Sequence, residues 1–202
     1  MTLMTLMIIA TVSTATIIFP YDSIGEWWLH GNMMHKPLWG FRYPFERHAL
    51  THHRLFRSDP TYHLQEDVDK RKIRMAWWNG AVIILIGTLP FAGISTAFVL
   101  YGLWQVGAVI YGTTLLCSAA YYGMYEYMHW CFHLPKERRL ERWWLFQRMN
   151  GHHILHHRFH NMNLNVVFPF ADWLFGTLLR RSPIKFRQVL GPSVPDLQPL
   201  AA

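Results

Sequence analysis

The stretch NGHHILHHRFHN, Asn150 to Asn161, holds five histidines in nine positions: His152, His153, His156, His157 and His160. Three shorter groups repeat the theme: HGNMMH with His30 and His35, HALTHH with His48, His52 and His53, and HWCFH with His129 and His133. Imidazole is the commonest metal ligand and is costly to bury without a partner, so the concentration points to metal binding. On a helix, residues three or four apart share a face. His129 and His133 can therefore address one ion, His48 and His52 share a face, and His153, His156, His157 and His160 follow an i, i+3, i+4, i+7 stripe. His30 and His35, five apart, sit less well on one face and call for a local break, for which Gly31 is available. About ten imidazoles exceed the roughly four to six ligands of one ion, so two metal ions are implied. Ligand type does not choose among zinc, copper, iron and nickel. Glu26 and Glu126, each just ahead of a histidine pair, read as carboxylates that orient imidazole N–H groups.

The elements that must position these residues follow from charge and hydropathy. Of 202 residues, 51% are apolar and 16% aromatic while only 15% are charged, which favours a membrane protein over a soluble domain. The formal charge of +7 does not mark a nucleic-acid binder. All 19 Lys and Arg lie between Lys36 and Arg74 or between Lys136 and Arg187, the first 19 residues carry no charge, and Met75 to Met128 contains only Glu126. Such a partition is what a bilayer imposes, because charge at its centre costs several kcal/mol, roughly 2.5 to 3.5 on insertion scales. Residues 1–19 lack the basic start of a secretory leader and read as a retained anchor. Residues 75–128 are too many for one crossing and should form a hairpin, turning at Pro90–Gly93 or at Tyr101–Gly102; in the second case Pro90 kinks a longer helix. The expected fold is an all-α integral membrane protein, multi-pass, with spans at roughly 1–19, 75–100 and 103–128. A helical cap on the cytosolic side carries a histidine-rich di-metal site, the side being set by the positive-inside rule. The chain reads as a single domain over 1–202, with metal-binding lobes at 21–74 and 129–177 and a tail at 178–202. All 13 histidines fall in the lobes. Cys117 and Cys131 offer neither a disulfide framework nor a zinc spacing.

The four boxes HGNMMH, HALTHH, HWCFH and HILHH resemble the pattern of the fatty acid hydroxylase/sterol desaturase superfamily of membrane di-iron oxidases. The resemblance runs from about Glu26 to Thr177 and includes FPFADWLFGT, similar to that family's closing segment, which carries Asp172. It implies two iron ions, with zinc an alternative occupant, and O2 as co-substrate in hydroxylation or desaturation of a lipid. It assigns ligand roles to His30, His35, His48, His52, His53, His129, His133, His153, His156 and His157, with no catalytic residue beyond them. His152, His160, Glu26, Glu126 and Asp172 become supporting groups, and His63 a loop residue. The second box is one residue longer before its doublet than in many members. No dinucleotide fingerprint, cysteine cluster or fused heme domain is present, so electrons must come from a separate ferredoxin-like or b-type cytochrome partner with its reductase. Lys136, Arg138, Arg139 and Arg142 offer a basic dock for it. Carotenoid ring hydroxylases share the architecture. From another class, a zinc-dependent lipid hydrolase or a structural metal protein at the membrane surface would use the same imidazoles, whereas a metal transporter would place them within the spans.

Overall fold

The computed structural model describes residues 1–179, and the tail from 180 onward lies outside them. The described chain is helical, with one β-bridge between Leu38 and Phe41 across a tight turn in which Trp39 and Gly40 both have positive φ. Eight α-helices follow in order: α1 Leu3–Leu29, α2 Tyr43–Arg47, α3 His53–Leu55, α4 Trp77–Gly87, α5 Leu89–Leu100, α6 Trp104–His133, α7 Trp144–Arg158 and α8 Phe170–Leu174. Two π-helical turns, His30–Met34 and His48–His52, sit between α1 and α2 and between α2 and α3.

The helices divide into two compact units. The first comprises Met1–Gly25 and Ala76–Met124. In it, Tyr21 donates its hydroxyl to the Gly87 carbonyl at 2.7 Å and packs edge-on against Phe91, while Phe19 meets Tyr121. Leu3–Met34 is, among the described residues, the one continuous helix long and apolar enough to cross a membrane. The stretch ending at Gly87 passes the same test together with α5, but the two are bent by 45°. The bend falls where Pro90, in the first turn of α5, has no backbone N–H to give to the preceding turn. The chain reverses at Tyr101–Leu103, where Gly102 takes φ 78°, so the later of the two expected turn positions is used and Pro90 marks the kink. Helix α6, at 30 residues, is long enough to cross but does not reach the same apolarity, with Thr113, Thr114, Ser118 and several tyrosines along it. Of the three expected spans, one is therefore present as a continuous apolar helix.

The second unit comprises Glu26–Met75 and the chain from Tyr125 onward. Its core is built from Phe56, Tyr62, Phe132, Phe146, Met149, Ile154 and Val166, all almost fully buried. All thirteen histidines belong to this unit.

Close approach in the first unit depends on a glycine. A Cβ at Gly107 would stand 2.7 Å from the Ser95 carbonyl oxygen, and the Ser95 hydroxyl already donates to the Gly107 carbonyl at 2.8 Å. On the same helix, a Cβ at Gly112 would meet nothing within 4 Å. Gly107→Ala should therefore destabilise by about 1–3 kcal/mol, the usual cost of overpacking. Gly112→Ala should be neutral or stabilising by up to about 1 kcal/mol. Thermal unfolding of the two variants in detergent checks the contrast.

Candidate metal centre

The spacing of the first two boxes is resolved by local helix geometry. In the turn His30–Met34 the backbone N–H of His35 donates to the carbonyl of His30 at 3.2 Å, and in the turn His48–His52 the N–H of His53 donates to the carbonyl of His48. An i to i+5 bond is the π-helical repeat, and it brings residues five apart onto one face. Thus His30 lies with His35 and His48 with His53. His48 and His52 do stack, with ring centroids 5.2 Å apart, yet they serve different clusters. On α6 and α7 the ordinary α repeat holds, pairing His129 with His133 and His153 with His157.

Ten imidazoles gather into two groups. One contains His30, His35, His48, His53 and His156; the other contains His52, His129, His133, His153 and His157. Within each group the five ligand nitrogens lie within 4.8 Å of one another, and each group can hold a metal ion. The His52–His53 and His156–His157 doublets are split between the groups, because adjacent residues on a helix point about 100° apart. All ten sequence-predicted ligands are thus brought together.

The donor chemistry fits a metal. A carbonyl oxygen only accepts, so an imidazole nitrogen facing one must carry the proton. The Nδ1 atoms of His30, His133, His156, His157 and His52 face the carbonyls of Leu164, Tyr62, Met162, Phe56 and Lys72 respectively, the His133 and His156 contacts at 2.7 and 3.0 Å. In these rings Nε2 is therefore a lone pair, aimed inward. The Nε2 atoms of His48 and His30 are 2.8 Å apart, those of His48 and His53 2.9 Å, and His153 approaches His157 and His133 at 3.0 and 3.2 Å. With metal–imidazole bonds of about 2.0–2.1 Å, neighbouring ligands on one ion stand about 3.0–3.4 Å apart and opposite ones about 4.2 Å. The Nδ1 atoms of His53 and His153 are buried without a hydrogen-bond partner, a cost of roughly 1–3 kcal/mol each that ligation at Nε2 of the same ring can offset. Burial, reinforced by neighbouring imidazoles, holds His48, His52, His53, His153, His156 and His157 well below the ordinary histidine range, and pushes His35 down to about 2. At neutral pH these rings are uncharged, the form that binds metals.

No family model, curated protein or solved structure matches the chain.

The supporting residues divide. Asp172 is fully buried; its carboxylate accepts from the backbone N–H groups of Leu164 and Asn165, each at 2.8 Å, from the Thr177 hydroxyl and from His152 Nε2 at 3.0 Å. It therefore holds the segment whose Leu164 carbonyl fixes His30. His152 joins neither metal group and belongs to this carboxylate instead. Glu26 accepts from the Val166 N–H and from the Asn165 side-chain amide, so it too holds that segment. Glu126 approaches Arg74 at 3.9 Å. His160 stacks on His35 and lies tilted against His53 while its Nε2 faces the His157 carbonyl, and His63 follows the turn Pro60–Tyr62 beside Tyr62; neither enters a group. Sequence reading missed Asn163 and Asn165. Asn163, at φ 55°, donates to the His152 carbonyl and accepts from Leu179 N–H; Asn165 accepts from Asp172 N–H. The available signal was N-M-N-L-N, alternating amides entering the apolar run that follows the last box.

The two groups differ in access. Every imidazole of the His52 group is buried, whereas His35 is half-buried. A small cleft lined by Arg47, Lys72, Arg74 and Glu126 reaches His48, His52 and His129. Two ions per chain are expected by elemental analysis, one for each group. Asp172→Asn should weaken the His30 group by about 10–100-fold, the usual effect of losing a ligand-orienting partner. His160→Ala should leave two ions bound. Metal titration of the three proteins distinguishes these outcomes.

Proposed function

We propose that the chain is a membrane-bound di-iron oxygenase of the fatty acid hydroxylase/sterol desaturase kind, acting on a C–H bond of an acyl or sterol-like lipid. The single observation that carries this reading is the convergence of four distant histidine boxes into two five-imidazole groups, with the His52–His53 and His156–His157 doublets divided between them. A lipid C–H bond is beyond the reach of side-chain acids and nucleophiles, and bound iron supplies the activation of O2 that such a bond requires. The overall reaction takes O2, two electrons and two protons, placing one oxygen atom in the lipid and one in water; desaturation instead removes two hydrogens.

The protein's own part is to hold and shield. Carbonyl-bound Nδ1–H groups keep the Nε2 lone pairs directed inward, and burial keeps the rings neutral and water away. No carboxylate enters either group among the described residues, which favours this reading over a zinc hydrolase, where an acid/base carboxylate usually adjoins the metal. In this proposal the bent α4–α5 pair and α6 join α1 in the bilayer, giving three crossings. The Lys/Arg-rich lobes then lie on the cytoplasmic side, where an external ferredoxin-like or b-type cytochrome donor delivers electrons.

The test is expression in a lipid-rich host under 18O2, with a reductase system present and the protein shown to be iron-loaded, followed by lipid mass spectrometry. Wild-type protein should yield a lipid bearing one 18O, or one lacking two hydrogens, that is absent with His156→Ala. Matching lipid profiles would refute the reading.

A further inference from the structure

The segment after the last histidine box buries its one charge and exposes large apolar side chains, the reverse of what water selects. Between Asn161 and Leu179 the only charged residue is Asp172, and it is fully buried. On α8 and its flanks Ala171 and Asp172 point inward, while Phe168, Trp173, Leu174 and Phe175 are 37%, 60%, 48% and 47% exposed. A five-residue helix buries its one carboxylate and shows solvent Trp173 and Leu174.

What covers this face is indicated by where α8 is fastened. Trp27, in the last turn of α1, packs on Phe175 with ring centroids 4.4 Å apart and donates its indole N–H to the Thr177 hydroxyl at 2.8 Å. Glu26, one residue earlier, holds Asn165 and Val166. Both belong to the helix long and apolar enough to cross a membrane. A hydrocarbon core of about 30 Å uses roughly 20 residues at 1.5 Å each, so a crossing that begins at Leu3 is complete near Asp22, the first charged residue of the chain. Trp27 follows about 7 Å further along the same helix, at the depth of the headgroups, where tryptophan is enriched. The neighbouring Trp28 is 43% exposed.

We infer that α8 and its flanks form a lipid-contacting surface element, with Phe168, Trp173, Leu174 and Phe175 seated in the interfacial layer of the bilayer beside the end of α1. The inference rests on the reading of α1 as a membrane span. The chemistry that recognises the partner is apolar burial at a headgroup boundary, as for helices lying in the plane of an interface. Asp172 then lies one residue from the lipid-facing Trp173 while its carboxylate holds His152 and the segment carrying the Leu164 carbonyl. The lipid surface and the orientation of His30 thereby share one short helix.

The test uses the full chain with Cys117→Ser and Cys131→Ser, carrying a single nitroxide-labelled cysteine at Trp173, Arg158 or Val12, reconstituted in phosphatidylcholine/phosphatidylglycerol vesicles. Collision of the label with O2, which partitions into lipid, is compared with collision with a water-soluble nickel chelate. Arg158 and Val12, both exposed, report water and bilayer core respectively. Support is an O2-to-nickel ratio at position 173 severalfold above that at 158 and below that at 12. A ratio at 173 equal to that at 158, with position 12 in lipid, overturns this inference alone. A water-like ratio at position 12 overturns the membrane reading and the inference with it. A label at 173 shielded from both reagents means that a second copy or residues 180–202 cover the face, and also overturns it.

Discussion

The structure depends on a hydrogen bond made on the outer side of the histidines. Each carbonyl that accepts an Nδ1–H decides which ring nitrogen keeps its lone pair, and so turns an ambiguous imidazole into a directed ligand. Five of these carbonyls come from chain segments with little else in common: Phe56 and Tyr62 on either side of a loop, Lys72 at the end of a 3-10 turn, and Met162 and Leu164 after α7. Irregular backbone serves this purpose well, because its carbonyls are not committed to a helix ladder. The loops of the second unit are therefore part of the site as much as the helices that bear the histidines.

Holding those carbonyls in place requires a buried polar scaffold, and the chain concentrates it between Asn163 and Thr177. Asp172, Asn165, Asn163 and Thr177 bond one another's side chains and backbone, with Glu26 closing the set from α1. A buried carboxylate is tolerable only when its lone pairs are occupied, and Asp172 accepts four hydrogen bonds. The result is rigidity gained without a disulfide: both cysteines are free.

Much of the site was legible in the sequence because metal binding imposes residue type. The ten histidines of the four short boxes all meet, in two groups that can each hold a metal ion. What sequence could not supply was their partition. The i, i+4 rule pairs His48 with His52, but the chain uses a π-helical turn and pairs His48 with His53. The stripe on α7 likewise runs across two groups, with His156 turned to one and His153 and His157 to the other. Sequence places His152 beside the box pattern as a supporting group, and only the fold shows that its partner is Asp172, twenty residues on. Helical content was readable from hydropathy, while proline chemistry left Pro90 as either the hairpin turn or a kink, and the structure uses it as the kink. The membrane crossing of α6 was read from its lack of charge, yet its hydroxyl and glycine content lowers its apolarity below that of α1.

The π-helical turns carry a consequence for how such boxes can vary. In a regular α-helix, one extra residue between two ligands rotates everything downstream by about 100° and would aim the second imidazole away from its partner. Here the inserted residue is absorbed where it occurs, as a local widening closed by the His30–His35 and His48–His53 bonds, and both side chains regain a common face. Ligand spacing of four or five along the chain thus becomes interchangeable in space. Insertions that would ordinarily shift the register of a helix leave the chemistry of this one unmoved.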